Sequence, residues 1–216
     1  MLLIRKLFLT LIILLLISTP SFSFAQNRED RVQILRDKAA ERKSIIEEKR
    51  TDAKERFASK REEFKEKALQ IRDEKKQEIV QRVDSRITTL NQKHTDRFSD
   101  LLDKLSSILD RIEARALDLE DRGANTSEVD VAVQTARDAI GVAEGEVVEQ
   151  AGKDYIIEIG SDSNLGTVVS SAFNEFKNDM QTLQASVKVV RDAVHEAAVA
   201  LKEVISNLNT ENGSAE

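Results

Sequence analysis

The stretch from Gln26 to Arg122 contains neither glycine nor proline. These two residue types are the strongest breakers of regular backbone structure, so their absence favours long helices. The stretch is rich in Ala, Glu, Lys, Arg, Leu and Gln, which all favour the helical backbone. The only proline is Pro20, and all seven glycines lie at Gly123 or beyond. We therefore predict an all-α fold whose helix-forming segment is unbroken as far as Gly123.

The first 25 residues have the order of parts of a secretory signal peptide. Arg5 and Lys6 form a basic start, an apolar run follows from Leu7 to Ile17, and small residues precede a cut at about Ala25. The run is shorter than the roughly 20 residues that a membrane-spanning helix needs, and an uncleaved anchor is the alternative. No later segment is apolar enough to span a membrane. We expect a periplasmic or extracellular chain without a transmembrane segment in its mature part.

Charge divides the mature chain into two parts. Residues 28–86 hold 19 basic and 15 acidic residues, whereas residues 87–216 hold 12 and 24. We predict a charged helical arm over residues 26–86, an antiparallel three-helix bundle over residues 87–208, and a disordered tail over residues 209–216. Basic and acidic residues are interleaved in the arm, so it lacks the continuous positive surface typical of nucleic-acid binding. Nucleic acid is therefore not an expected partner.

The arm carries only a thin apolar stripe. Phe57, Phe64, Ile71 and Ile79 are seven or eight residues apart, and charged residues occupy many positions between them. A helix of this kind needs many ion pairs along its surface or a partner along its stripe. We predict that these four residues form an interaction seam, either buried against a partner helix or exposed to hold apolar clients.

The bundle helices show a far more regular apolar pattern. Their apolar residues alternate steps of three and four, which predicts left-handed packing of knobs into holes. Gly123 lies where a left-handed helix cap belongs, and the short loop there makes the first two bundle helices antiparallel. The predicted bundle core consists of Phe98, Leu101, Leu105, Ile108, Ile112, Val133, Ile140, Phe176, Leu183, Val190 and Leu201.

A short segment between the last two helices has a different character. Tyr155 to Ile159 is aromatic and β-branched, and a turn-forming sequence follows it. We predict an extended segment over the bundle with Tyr155 and Ile157 facing inward. A β-edge used for partner binding is the alternative, although a lone short strand has no sheet to join.

His94 is one of two histidines in the chain. Its neighbours on a helix lie three and four positions away and include Leu90 and Phe98, without a carboxylate or a second histidine. Asp96 points to another side of the helix. Since the chain has no cysteine, potential metal ligands are few. We interpret His94 as a packed seam residue and expect no catalytic, metal or cofactor site, and hence no enzyme.

One segment of the bundle carries a resemblance. Residues 87–140, ITTLNQKHTDRFSDLLDKLSSILDRIEARALDLEDRGANTSEVDVAVQTARDAI, resemble a recurring segment of uncharacterised exported helical and coiled-coil proteins of small-genome bacteria. A signal peptide and a charged helix precede that segment in those proteins too. The likeness extends over roughly residues 60–200 and implies a bacterial envelope location without a known activity. The architecture is also loosely similar to periplasmic helical chaperones.

Two classes of function fit these features. The first is a non-enzymatic structural or adaptor protein of the cell envelope, which acts through coiled-coil interactions with itself or with another envelope protein. The second is a periplasmic holdase chaperone or lipid-binding protein that uses the apolar stripe of the arm.

Overall fold

The computed structural model describes residues 23–160 and 164–213. These residues contain no β-strand, which confirms the predicted all-α helical bundle. The signal peptide predicted for residues 1–25 lies almost entirely outside the described residues and stays a prediction. The four helices of the described residues are α1 (Ser23–Leu69), α2 (Glu74–Glu120), α3 (Ser127–Ala151) and α4 (Leu165–Gly213).

The contacts within the chain divide it into a unit that ends at Lys38 and a unit that starts at Ala39. In the first unit, residues 23–38 form the beginning of α1. All side-chain packing described below belongs to the second unit.

A four-residue link, residues 70–73, separates α1 from α2. Ile71 within it is buried, and the Asp73 carboxylate accepts hydrogen bonds from the backbone N–H groups of Lys75 and Lys76 at 3.0 and 3.2 Å. This N-cap satisfies donors at the start of α2 that have no partner within the helix. The long helix predicted for the arm, residues 26–86, is therefore interrupted at this link. Tertiary burial and capping override helix propensity in a stretch without glycine or proline.

The chain reverses at this link, so α1 runs antiparallel to α2. Arg42 of α1 pairs with Asp103 of α2, and Arg61 pairs with Asp84. The predicted boundary between arm and bundle, at residues 86 and 87, lies inside α2. From Arg42 onward the predicted arm packs on the other helices, so the described bundle contains four helices instead of the predicted three.

The end of α2 agrees with the sequence prediction, whereas α4 ends later than predicted. Gly123 has a positive φ of 89°, and the backbone N–H of Ala124 donates to the carbonyl of Leu119 at 3.0 Å, which confirms the predicted cap. Helix α4 continues to Gly213, so residues 209–213 are helical instead of disordered. The sequence between Thr167 and Gly213 offers no glycine or proline that would end the helix earlier. Residues 214–216 of the predicted tail lie outside the described residues.

The larger core lies among α2, α3 and α4, and Ile46 of α1 joins it. Leu102, Leu109 and Val190 are fully buried there. Ten of the eleven predicted core residues are buried or partly buried. Buried are Leu105, Ile112, Val133, Ile140, Phe176, Leu183 and Val190; partly buried are Phe98, Ile108 and Leu201.

Leu101 is the exception, since 38% of it is exposed. The buried stripe of α2 passes through its neighbour Leu102, one position from the predicted seam. Further toward the N-terminus this stripe buries the polar residues Asn91, Thr95 and Ser99. An apolar pattern cannot reveal a stripe in which polar residues occupy three successive positions.

A second core lies at the other end of the bundle. It combines Phe64 and Ile71 from the end of α1 and the link with residues of α2, of the segment after α3, and of α4. Tyr155 and Ile157 are 5% and 1% exposed, which confirms their predicted inward orientation. We call residues 152–160 the linker; it crosses the bundle as a non-helical segment that forms no strand.

Candidate interaction surface

The four residues of the predicted interaction seam do not share one surface. Phe64 and Ile71 are buried in the second core of their own chain, at 6% and 4% exposure. Phe57 is half-buried, and Ile79 is 52% exposed. The prediction of one stripe for a partner or client is therefore wrong, because α1 folds back and its apolar residues pack on α2, the linker and α4.

Arginines hold α1 against the bundle at positions that a coiled coil would fill with apolar residues. Arg42 contacts Asp103 of α2 and Glu144 of α3, and only 10% of its side chain is exposed. Arg50 lies 2.7 Å from both the Oδ1 atom of Asp96 and a threonine hydroxyl of α2. The α1 helix therefore lies along α2 and α3, with its cations directed at their acids.

Arg61 forms the most extensive of these contacts. Its Nη1 atom donates to both carboxylate oxygens of Asp84, at 2.7 and 2.6 Å, and its Nε atom donates to Asp154 at 2.9 Å. Burial raises the pKa of Asp84, and the positive charge of Arg61 opposes that rise. Removal of one partner from such a cluster leaves buried charge without compensation, which is strongly destabilising.

A second polar network fixes the linker. Asn91 of α2 donates to the backbone carbonyls of Gln150 and Lys153 at 3.1 and 3.3 Å, so it caps the end of α3. The Gln150 amide donates a hydrogen bond to the Tyr155 hydroxyl, and this hydroxyl donates one to Asp179 of α4. Both hydrogen bonds have a length of 2.6 Å. Burial and the hydrogen bond to Asp179 raise the pKa of Tyr155, so its hydroxyl stays protonated and can donate.

A groove of about 700 Å³ lies between α2 and α4, on the other flank of the buried stripe from α1. Its apolar floor includes Phe98, Leu101 and Met180. Leu101 is exposed there because the described residues place no helix over this flank. The complete lining consists of His94, Arg97, Phe98, Leu101, Leu105, Met180, Gln181, Gln184, Ala185, Val187, Lys188 and Arg191.

The charge of the groove is one-sided. Its lining contains three cations and a histidine, and none of these described lining residues is a carboxylate. Arg97 and Lys188 form no ion pair with any described residue, and Arg191 pairs at 3.1 Å with its neighbour Asp192 on the same helix. A basic, apolar groove thus exists in a chain whose formal charge is −6.

His94 lies at one end of this groove. Its ring stacks on Phe98, with centroids 6.1 Å apart and planes at 27°, and it lies 6.5 Å from the ring of Phe176. These contacts agree with the interpretation of His94 as a packed seam residue. Across residues 23–160 and 164–213, no group of three or more His, Cys, Asp or Glu side chains could hold a metal ion.

The sequence pattern did not identify the arginines that attach α1. Arg42, Ile46, Arg50 and Ala53 follow each other in steps of four and three, which is the spacing of a coiled-coil seam. An arginine at such a position is a usable signal, because its long apolar stem can pack while its head reaches an acid on a neighbouring helix.

Comparison of the chain with models of protein families, with curated proteins and with solved structures finds no match. In the part of the chain that the structure describes, no helix combines the length and apolar character required to cross a membrane.

Proposed function

We propose that this protein is a non-enzymatic, exported cell-envelope protein that acts as a structural or adaptor element through coiled-coil interactions. The observation that carries the proposal is the open groove between α2 and α4, with Leu101 exposed on its floor. A groove between two helices is a common docking place for a third helix, which lays its apolar face into the groove. The exported location rests on the signal peptide predicted for residues 1–25.

The α1 helix provides an internal precedent for this mode of binding. It lies along α2 and α3, buries Ile46 in the larger core, and directs Arg42 and Arg50 at acids of its neighbours. Helix docking with charged residues at the edges is therefore already a part of this fold. The groove between α2 and α4 has the same components, namely an apolar floor and charged edges.

The alternative is a holdase chaperone or lipid-binding protein. A chaperone that binds clients through the arm requires Phe57, Phe64, Ile71 and Ile79 to be exposed together, and two of them are buried. A lipid-binding role would now depend on the groove between α2 and α4. The open shape of that groove suits a helix, which keeps one polar face in water, better than an acyl chain.

Photo-crosslinking in the cells that produce the protein tests the proposal. A photoreactive residue replaces Leu101 in the full chain, and a control variant carries it at Val142, an exposed apolar residue of α3 outside the groove. We expect a discrete protein adduct from position 101 and none from position 142. Mass spectrometry then identifies the crosslinked peptide as a second copy or as another exported protein. An absent adduct, or the same adducts from both positions, would contradict the proposal.

A further inference from the structure

We infer that the groove between α2 and α4 binds an acidic amphipathic helix of a partner protein. This inference rests on the proposed function and specifies the chemistry of the partner at the same groove. It follows from the charges on the two flanks of α2, from the shape of the groove and from the way in which α1 occupies the other flank.

The first observation is that α2 has an acidic flank and a basic flank. Asp96, Asp100 and Asp103 lie on the flank that faces α1, and each forms an ion pair with a cation of α1. Arg97 lies on the other flank, where it lines the groove together with Lys188 of α4. The basic-leaning α1 thus occupies the acidic flank. By the same electrostatic rule, a helix that fits the basic flank must carry acids along its edges.

The second observation is that the cations of the groove are available. Arg97, Lys188 and Arg191 are exposed, and the first two form no ion pair with any described residue. The arginines that hold α1, by contrast, are largely buried and each contacts at least one acid. The groove therefore presents charge that no described part of the chain neutralises. A basic partner helix would place like charges opposite each other there, which is destabilising.

The third observation concerns size. The α2 residues of the groove run from His94 to Leu105, which corresponds to about 17 Å along a helix, or about three turns. A partner helix with apolar residues in steps of three and four would place about three of them over Phe98, Leu101 and Leu105. Its acids would lie beside these anchors and reach the cations on both edges. This is the arrangement of α1 with the signs of charge reversed.

Peptide binding to the purified mature chain tests the inference. One fluorescent peptide of three heptads has Leu at the two seam positions and Glu at the flanking positions, and its matched partner has Lys in place of every Glu. Fluorescence anisotropy measures the affinity of each. We expect the acidic peptide to bind at least about tenfold more tightly than the basic one, with the difference shrinking at about 0.3 M salt.

Two variants provide the matched controls. The double variant Arg97→Glu with Lys188→Glu should reverse the preference, so that the basic peptide binds more tightly. Leu101→Ser should weaken the binding of both peptides, and since Leu101 is exposed, circular dichroism should show an unchanged fold. Equal affinities for the two peptides, or a preference that the double variant leaves unchanged, would overturn the inference.

A fatty-acid probe separates failure of this inference from failure of the proposed function. If neither peptide binds, but dansyl-undecanoic acid binds and Leu101→Ser abolishes its binding, the acidic helix is wrong and the groove is a lipid site. If peptides and probe all fail to bind while position 101 still crosslinks a protein in cells, the acidic-helix inference alone is wrong. If position 101 forms no protein crosslink in cells either, the proposed adaptor function is wrong too.

Discussion

The two flanks of α2 carry opposite charges. Helix α1 covers the acidic flank, whereas the basic flank lines the open groove beside α4. On one flank, Asp96 and Asp103 pair with arginines of α1 whose side chains are about nine-tenths buried. On the other flank, Arg97 and Leu101 remain exposed beside α4. The difference shows how one helix can be a structural element on one side and a binding element on the other. Matched substitutions on the covered side and in the groove should therefore differ in their effect on the free energy of unfolding.

The largest difference is expected between two neighbouring leucines. Leu102 is fully buried in the larger core, whereas Leu101 is 38% exposed in the groove. Leu102→Ala should lower the free energy of unfolding by about 3 kcal/mol, because it removes buried surface and leaves a cavity. Leu101→Ala should lower it by less than about 1 kcal/mol. Urea unfolding of both variants measures the difference. Similar losses would mean that another chain covers the groove in solution.

The next difference separates a paired arginine from an unpaired one. Arg61→Met leaves Asp84 and Asp154 without their cation, and both side chains are at most 15% exposed. We expect a loss of about 2–3 kcal/mol in the free energy of unfolding, since breaking a buried ion pair strands its charge. Arg97→Met, in the groove, should change it by no more than about 0.5 kcal/mol. Thermal and urea unfolding at neutral pH provide the measurement. A stable Arg61→Met protein would show that the Arg61 ion pairs are not needed to hold α1 in place.

A smaller effect is expected at the hydroxyl that ties the linker to α4. Tyr155→Phe removes the acceptor for Gln150 and the donor to Asp179 but keeps the ring, which packs edge-on against Phe176 at 5.5 Å. The loss should be about 1–2 kcal/mol, which is the usual effect of leaving buried polar groups unpaired. A Tyr155→Phe variant as stable as the original protein would show that the hydroxyl does not contribute to holding the linker in place. The same unfolding measurement applies, at constant pH.

The smallest effect depends on pH. Burial acts to raise the pKa of Asp179, but the hydrogen bonds from Tyr155 and Lys153 outweigh it and lower that pKa below the ordinary 3.8. A carboxyl group whose pKa is lower in the folded state than in the unfolded state stabilises the fold at pH values above the unfolded-state pKa. This stabilisation is lost as the pH falls through the folded-state pKa. Asp179→Asn should therefore cost about 1 kcal/mol at pH 7 and progressively less below about pH 4. A difference that stays constant from pH 7 to pH 3 would contradict this origin.

The regular parts of the fold could be predicted from the sequence. In α3 and α4, apolar residues occupy every position in the pattern of three- and four-residue steps. This pattern predicts Val133, Ile140, Leu183 and Val190 as core residues, and all four are buried. The cap at Gly123 was also predictable, because a positive φ at a helix end strongly favours glycine.

The parts that the sequence did not reveal are those where polar residues occupy buried positions. Asn91 and Thr95 lie in the stripe of α2 and are buried because hydrogen bonds satisfy them, and apolar periodicity gives no sign of this. Arg42 and Arg61 of α1 are largely buried because they pair with Asp103 and Asp84, and these acids are distant from them in the sequence. The position of the groove depends on which flank of α2 is covered by α1. Ion pairs between residues far apart in the sequence determine which flank that is.

The second core has a further consequence for how the molecule opens. It is assembled from stretches of chain that are distant in sequence, from Phe64 in α1 to Phe176 in α4. Most buried residues of α3, such as Val133 and Val147, belong instead to the larger core. Since partial unfolding follows cooperative units of this kind, we expect the end that holds the linker to open separately while α3 keeps its slowly exchanging amides. A protease that samples these openings would make its first cut near the linker and leave the other end of the bundle intact for longer.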